Sequence, residues 1–71
     1  MHPSTFEYLK PTDEQMEQMR IVREAARFYC DVLEANLPDG PDKTFIIRAH
    51  RSNAMWCGVA ITRQPDGAPR V

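Results

Sequence analysis

Leu37-Pro38-Asp39-Gly40-Pro41-Asp42 decides how this chain folds. Two prolines and a glycine within six residues stop any helix that enters, and Pro41 or Asp42 can open the next one. Upstream, Thr12 followed by Asp13, Glu14 and Gln15 is a helix start: a Thr cap, acids in the first turn, and Gln at the capping-box position. The first helix is therefore predicted over 12–36 and the turn over 37–41. The second helix is predicted over 42–63, stopped by Pro65-Asp66-Gly67. Residues 1–11, with Pro3, Pro11, Phe6 and Tyr8, read as an irregular arm, and 64–71 as a tail expected to fray from Ala68 to Val71. A short turn between two long helices makes an all-α antiparallel hairpin in a single domain.

Seventy-one residues place the chain near the size, ~70–80 residues, below which one core seldom holds a monomer. Disulfides, metals or self-association are the usual remedies. Cys30 and Cys57 could form at most one bridge. No apolar h-region opens the chain, and no run nears the ~18 residues of a membrane span. The expectation is a cytosolic protein with reduced thiols and no membrane partner.

The apolar pattern asks for more surface than two helices supply. The first helix offers Met19, Val22, Ala26, Tyr29 and Leu33 on one stripe, and Ile21, Ala25, Phe28, Val32 and Ala35 on another. The second offers Ile46, Ala49, Asn53, Trp56 and Ala60 beside Phe45, Ile47, Ala54, Cys57 and Ile61. A two-helix contact covers one stripe of each. The second stripes need a partner surface, and the commonest partner is another copy of the same chain. An intertwined homo-oligomer is the expectation.

Net charge is −1, so no general basic surface exists to coat DNA or RNA. The charge is nevertheless uneven. Residues 1–42 hold four cations against nine carboxylates, a balance of −5; residues 43–71 hold five cations against Asp66 alone, a balance of +4. Between Lys43 and Arg63 there is no Asp or Glu, so Arg48, Arg51 and Arg63 lack a local acid. In the first helix Arg20 has Glu17 and Glu24, and Arg27 has Glu24 and Asp31, which read as solvated surface pairs. Arg23 has no such acid and is either an exposed surface residue or a phosphate contact, where guanidinium forks fit oxygen pairs. Arg48 with Ser52 one turn later suits a phosphate and a neighbouring ribose. A salt bridge to the acidic first helix of another copy explains Arg48 equally well. Tyr8 in the arm could stack on a base, with Lys10 near a phosphate, or pack as a staple against the helix.

Signatures of catalysis are missing. His2 and His50 stand far apart, and His50 with Cys57 supplies too few donors for zinc. His50 is expected to be satisfied internally, and the cysteines to be small apolar residues. No nucleophile–base set, Gly-rich phosphate loop or carboxylate pair is present. The expectation is a protein without catalysis, metal or cofactor.

Tyr8-Leu9-Lys10-Pro11-Thr12, Arg23-Glu24-Ala25-Ala26, the turn from Leu37 to Lys43, and Ala54-Met55-Trp56-Cys57-Gly58-Val59-Ala60-Ile61-Thr62-Arg63 together resemble the phage anti-CBASS protein 2 family. The likeness covers about residues 8–63, and the small-residue helix around Met55-Trp56 is its most specific part. The resemblance implies a compact homohexamer in the host bacterial cytoplasm. Such a protein is a sponge that sequesters cyclic oligonucleotide signals without cleaving them, so host immune effectors stay inactive. It implies a cyclic-dinucleotide pocket between protomers using Tyr8 and Arg23, where the family carries Lys at the Arg23 position; Lys10, two residues past Tyr8, is the further phosphate contact expected there from the arm itself. It also implies a cyclic-trinucleotide pocket using Arg48 and Ser52, where the family has Thr at Ser52. The alternative is a helical protein–protein interaction module, a small phage inhibitor docking on a host protein. A DNA-binding helix pair is the weakest reading, because the turn is long and the first helix acidic.

Overall fold

A computed structural model describes residues 1–70; the expectation of a frayed end at Val71 lies outside the described residues. The order is a single 3₁₀ turn at Pro3–Phe6, then α1 at Asp13–Asn36, then α2 at Pro41–Thr62. The two helices pack antiparallel as the hairpin the turn demanded, and each boundary falls within one residue of its expected place.

The local chemistry explains those boundaries. Thr12 accepts the Gln15 backbone N–H at 3.1 Å, and the Gln15 side-chain oxygen accepts the Thr12 N–H at 3.0 Å. This closes the capping box, and Asp13 and Glu14 face the positive end of the helix dipole. α2 starts at Pro41 in its first turn, with Gly40 at the cap holding φ +152°. That backbone region is strained for any residue with a Cβ.

The seam runs at constant register. His50 bonds to the carbonyl of Ala26, Gln15 to that of Ile61, and Lys43 to that of Glu34. Each pair sums to 76 or 77 in residue number, the signature of an unslipped antiparallel pair. Met19, Val22, Ala26, Cys30 and Leu33 face Ile47, His50, Ala54, Cys57 and Ile61 across it. Leu33 is the one hydrophobic residue buried among the described residues.

The second stripes remain open. Phe28 is 71% exposed, Phe45 73% and Trp56 66%, and Ile21 and Val32 are exposed beside them. Two helices have two backs, and these large apolar side chains stay open among the described residues. No helix among the described residues is long and apolar enough to cross a membrane.

The tail corrects its expectation. Far from fraying from Ala68 on, the described tail turns back on α2: Gln64 N–H meets the Ala68 carbonyl at 2.6 Å, and Arg70 N–H meets Thr62 at 2.8 Å. The Arg70 side chain donates to the carbonyls of Ala60 and Arg63, at 2.9 and 2.8 Å. A helix end leaves four carbonyls without partners, and Arg70 serves as the cap. The arm is also more ordered than expected, because His2 N–H bonds to the Asp66 carbonyl at 2.6 Å.

Candidate anion-binding face

Two grooves lie between the helices. The one near the turn, about 370 Å³, is lined by Lys43, Thr44, Ile47, Arg48, Arg51 and Glu34, with Asp39 and Gly40 at its end. The one nearer the arm, about 300 Å³, is mostly apolar, with Met19, Ala26, Ala54, Met55 and Gly58, and Arg23 is its cation.

The cations fall into three groups. Arg20 and Lys43 hold acids. Arg20 donates to Glu17 at 2.6 Å and Glu24 at 2.8 Å, which keeps the Glu17 carboxyl below its ordinary value. Lys43 donates to the Asp39 carboxylate at 3.2 Å and sits 3.5 Å from that of Glu34. The Asp39 bond, then the charges of Asp39 and Glu34, raise its pKa. Lys43 thereby fastens the turn to α1 and is not free for a ligand.

Arg63 and Arg70 form the second group and are held by carbonyls. Arg63 donates to Ser4 and Gly67, each at 2.8 Å, and to Glu7 at 2.5 Å. Arg63 has no acid near it in the sequence. The structure answers it internally, through backbone groups that a sequence reading of charges cannot see.

The third group has no acceptor among the described residues: Lys10, Arg23, Arg27, Arg48 and Arg51. Arg27 is a further correction. Its expected partner Glu24 is taken by Arg20, and Asp31 is not within ion-pair distance. Of the residues singled out for binding, Arg48 and Arg23 line the grooves, one in each. Ser52 is exposed one turn beyond Arg48 and lines neither groove. Tyr8, 86% exposed, and Lys10 stand in the arm, and no hydrogen bond brings them to Arg23. Within one chain Tyr8 and Lys10 do not line the groove that holds Arg23. Arg51, given no role from the sequence, lines the same groove as Arg48.

His50 is satisfied as expected: Nε2–H donates to the Ala26 carbonyl at 2.8 Å, and its ring meets Tyr29 edge-on at 5.1 Å. Cys30 and Cys57 are free thiols, half-buried along the seam. Among the described residues no three His, Cys, Asp or Glu side chains are grouped to hold a metal. Comparison with protein-family models, characterised proteins and solved structures finds no match to this chain.

Proposed function

We propose that this protein is a phage-encoded sponge that binds cyclic oligonucleotide signals stoichiometrically and holds them uncleaved in the host bacterial cytoplasm. The ligands are cyclic dinucleotides such as 3′,3′-cyclic GMP-AMP, with cyclic trinucleotides as a second class. The observation that carries this reading is the pair Arg48 and Arg51, which line one groove with no carboxylate answering either. Guanidinium forks left without a protein acceptor fit the oxygen pairs of a phosphate. The open stripes around Phe28 and Trp56 supply the rest. Covered by further copies in a hexamer, they would bring the exposed Tyr8 and Lys10 of one chain toward the Arg23 of another. Pre-formed pockets of that kind avoid ordering costs on binding.

The test is thermal unfolding with and without 3′,3′-cyclic GMP-AMP and cyclic tri-adenylate, with molar mass by light scattering. Ligand at a hundred times its Kd adds about 2.7 kcal/mol to folding. A hexamer stabilised by either ligand, recovered intact, supports the sponge. Full capture by a Tyr8→Ala, Arg23→Glu, Arg48→Glu variant that keeps its molar mass would sink it.

The same open stripes favour a second reading, a helical module docking on a host protein. A monomer or dimer indifferent to both nucleotides would support that instead.

A further inference from the structure

Over the middle of this hairpin the charges lie on one side only. At about 100° per residue, with Ala26 and Ala54 at the centre of the seam, Arg23 and Arg27 stand roughly 60–100° round α1. Arg51 and Arg48 stand roughly 60–120° round α2 in the same sense. In an antiparallel pair the same sense leads to the same side, and the groove that Glu34 shares with Arg48 and Arg51 agrees. From Gln18 to Asn36 on α1 and from Thr44 to Thr62 on α2, no charged residue stands on the opposite side. That side carries Ile21, Ala25, Tyr29, Val32 and Ile46.

The register then sets the four arginines level. Because Ala26 meets His50, Arg51 lies beside the stretch between Arg23 and Arg27, and Arg48 beside Phe28. All four fall within about 8 Å along the helix axes. Arg23 and Arg27 are neighbours at i,i+4, and Arg48 and Arg51 at i,i+3. Like charges at those spacings cost stability unless something answers them. The acids on this side do not: Glu24 is held by Arg20, Glu34 faces Lys43, and Asp31 stands beyond ion-pair distance of Arg27.

We infer that Arg23, Arg27, Arg48 and Arg51 form one bisphosphate site astride the seam between the helices, where the two grooves adjoin, each helix gripping one phosphate with its pair of arginines. The two pairs are separated by the spacing of packed helices, ~8–10 Å. A ligand must therefore carry two phosphates held apart by an intervening body; the adjacent phosphates of a nucleoside diphosphate are too close together to reach both pairs. Met19 and Met55 line the adjoining groove and offer polarisable apolar surface to that body. This deepens the proposed function and takes the ligand's identity from it. It differs in placing both phosphates on a single hairpin and in giving Arg27 and Arg51 equal roles with Arg23 and Arg48.

The experiment titrates the full-length protein calorimetrically with 3′,3′-cyclic GMP-AMP and with hexane-1,6-diol bisphosphate, which has the two phosphates without bases. Wild type is compared with Arg27→Ala, Arg51→Ala and their double variant, with molar mass monitored throughout. Arg20→Ala, whose guanidinium is committed to Glu17 and Glu24, is the control for lost charge. Each single variant should bind at least tenfold more weakly and the double variant at least a hundredfold, with Arg20→Ala near wild type. Arg27→Lys and Arg51→Lys, which keep the charge and lose the fork, should fall between. Unchanged cyclic dinucleotide binding in the alanine variants would overturn the four-arginine site and leave the proposed function standing. Bisphosphate bound through these arginines, with the cyclic dinucleotide ignored, would keep the site and remove the proposed function. Loss of oligomer instead of ligand would assign the arginines to contacts between copies and overturn the site. Wild type that binds neither probe overturns both.

Discussion

Arg63 donates from Nη1 to the carbonyl of Ser4 at 2.8 Å, across 59 positions of sequence. The same nitrogen reaches Gly67, and Nη2 reaches Glu7, so one guanidinium holds both ends of the chain. The arm that carries Tyr8 is presented from this clasp. Replacing Arg63 by Ala should cost about 1–3 kcal/mol, the range for hydrogen bonds to a charged donor. Arg63→Lys should recover little, because an ammonium cannot fork between carbonyls. Thermal unfolding, with amide exchange at Thr5 and Glu7, checks this. Unchanged exchange at both amides would mean the arm is held by something else.

Two glycines separate backbone strain from steric clash. A Cβ at Gly67 would lie 2.2 Å from the Thr5 hydroxyl oxygen at φ +93°, whereas Gly40, at φ +152°, has nothing within 4 Å. Gly40→Ala should therefore cost only the backbone strain, about 1 kcal/mol. Gly67→Ala should cost distinctly more, because the Thr5 side chain must also give way and its hydroxyl lose the bond to the His2 carbonyl. Denaturant midpoints of the two variants decide it, and equal losses would contradict the clasp.

Gly58 makes the opposite prediction. It sits inside α2, where a Cβ would meet Met19 Cε at 3.6 Å, ordinary van der Waals contact. Gly58→Ala should stabilise by roughly 0.5–1 kcal/mol through helix propensity. A lower melting temperature would mean that another backbone approaches Gly58 in the assembled protein.

The open stripes predict that stability depends on concentration. Trp56, 66% exposed in one chain, belongs to an apolar back that only another surface can cover. If copies cover it, the melting temperature falls on dilution, and Trp56→Glu lowers the molar mass. A wild-type monomer whose melting temperature ignores dilution would remove self-association.

Glu17 gives a pH prediction with a definite sign. Arg20 holds its carboxyl below the ordinary 4.5, first by hydrogen bond and then by charge. A lowered carboxylate contributes stability above its ordinary value and loses it as pH falls through the lowered one. Lys43 runs the other way: its raised pKa keeps the Asp39 contact intact through neutrality, and the contact is lost only as pH rises above 10.5. Both side chains face water, so the effects on stability are small. In a carboxyl NMR titration, Arg20→Ala should move the Glu17 midpoint up toward 4.5; no movement would mean Glu24 is the real partner.

Legibility followed the range of the physics. Caps, breakers and dipole complements act within a few residues, so Thr12, Gln15, Gly40 and Pro41 announced both helices and the turn. Periodicity announced that each helix had an apolar stripe to spare. The partners of Arg63 were not legible, because its acceptors are backbone carbonyls brought near only by folding. Arg27 was misread for a simpler reason: two arginines had a claim on Glu24, and geometry gave it to Arg20. Gln15 was recognised as a cap but not as the side chain that also reaches the carbonyls of Ile61 and Arg70.

The sequence by itself determined two helices, the turn between them, and an excess of apolar surface over what a hairpin can hide. Each follows from propensities and spacings that need no distant neighbour. Tertiary structure decided which stripe became the seam, which cations were spent on carbonyls, and which four arginines stand level on one side. Those outcomes depend on the register of one helix against the other, and only the packed seam from Met19 to Ile61 sets it.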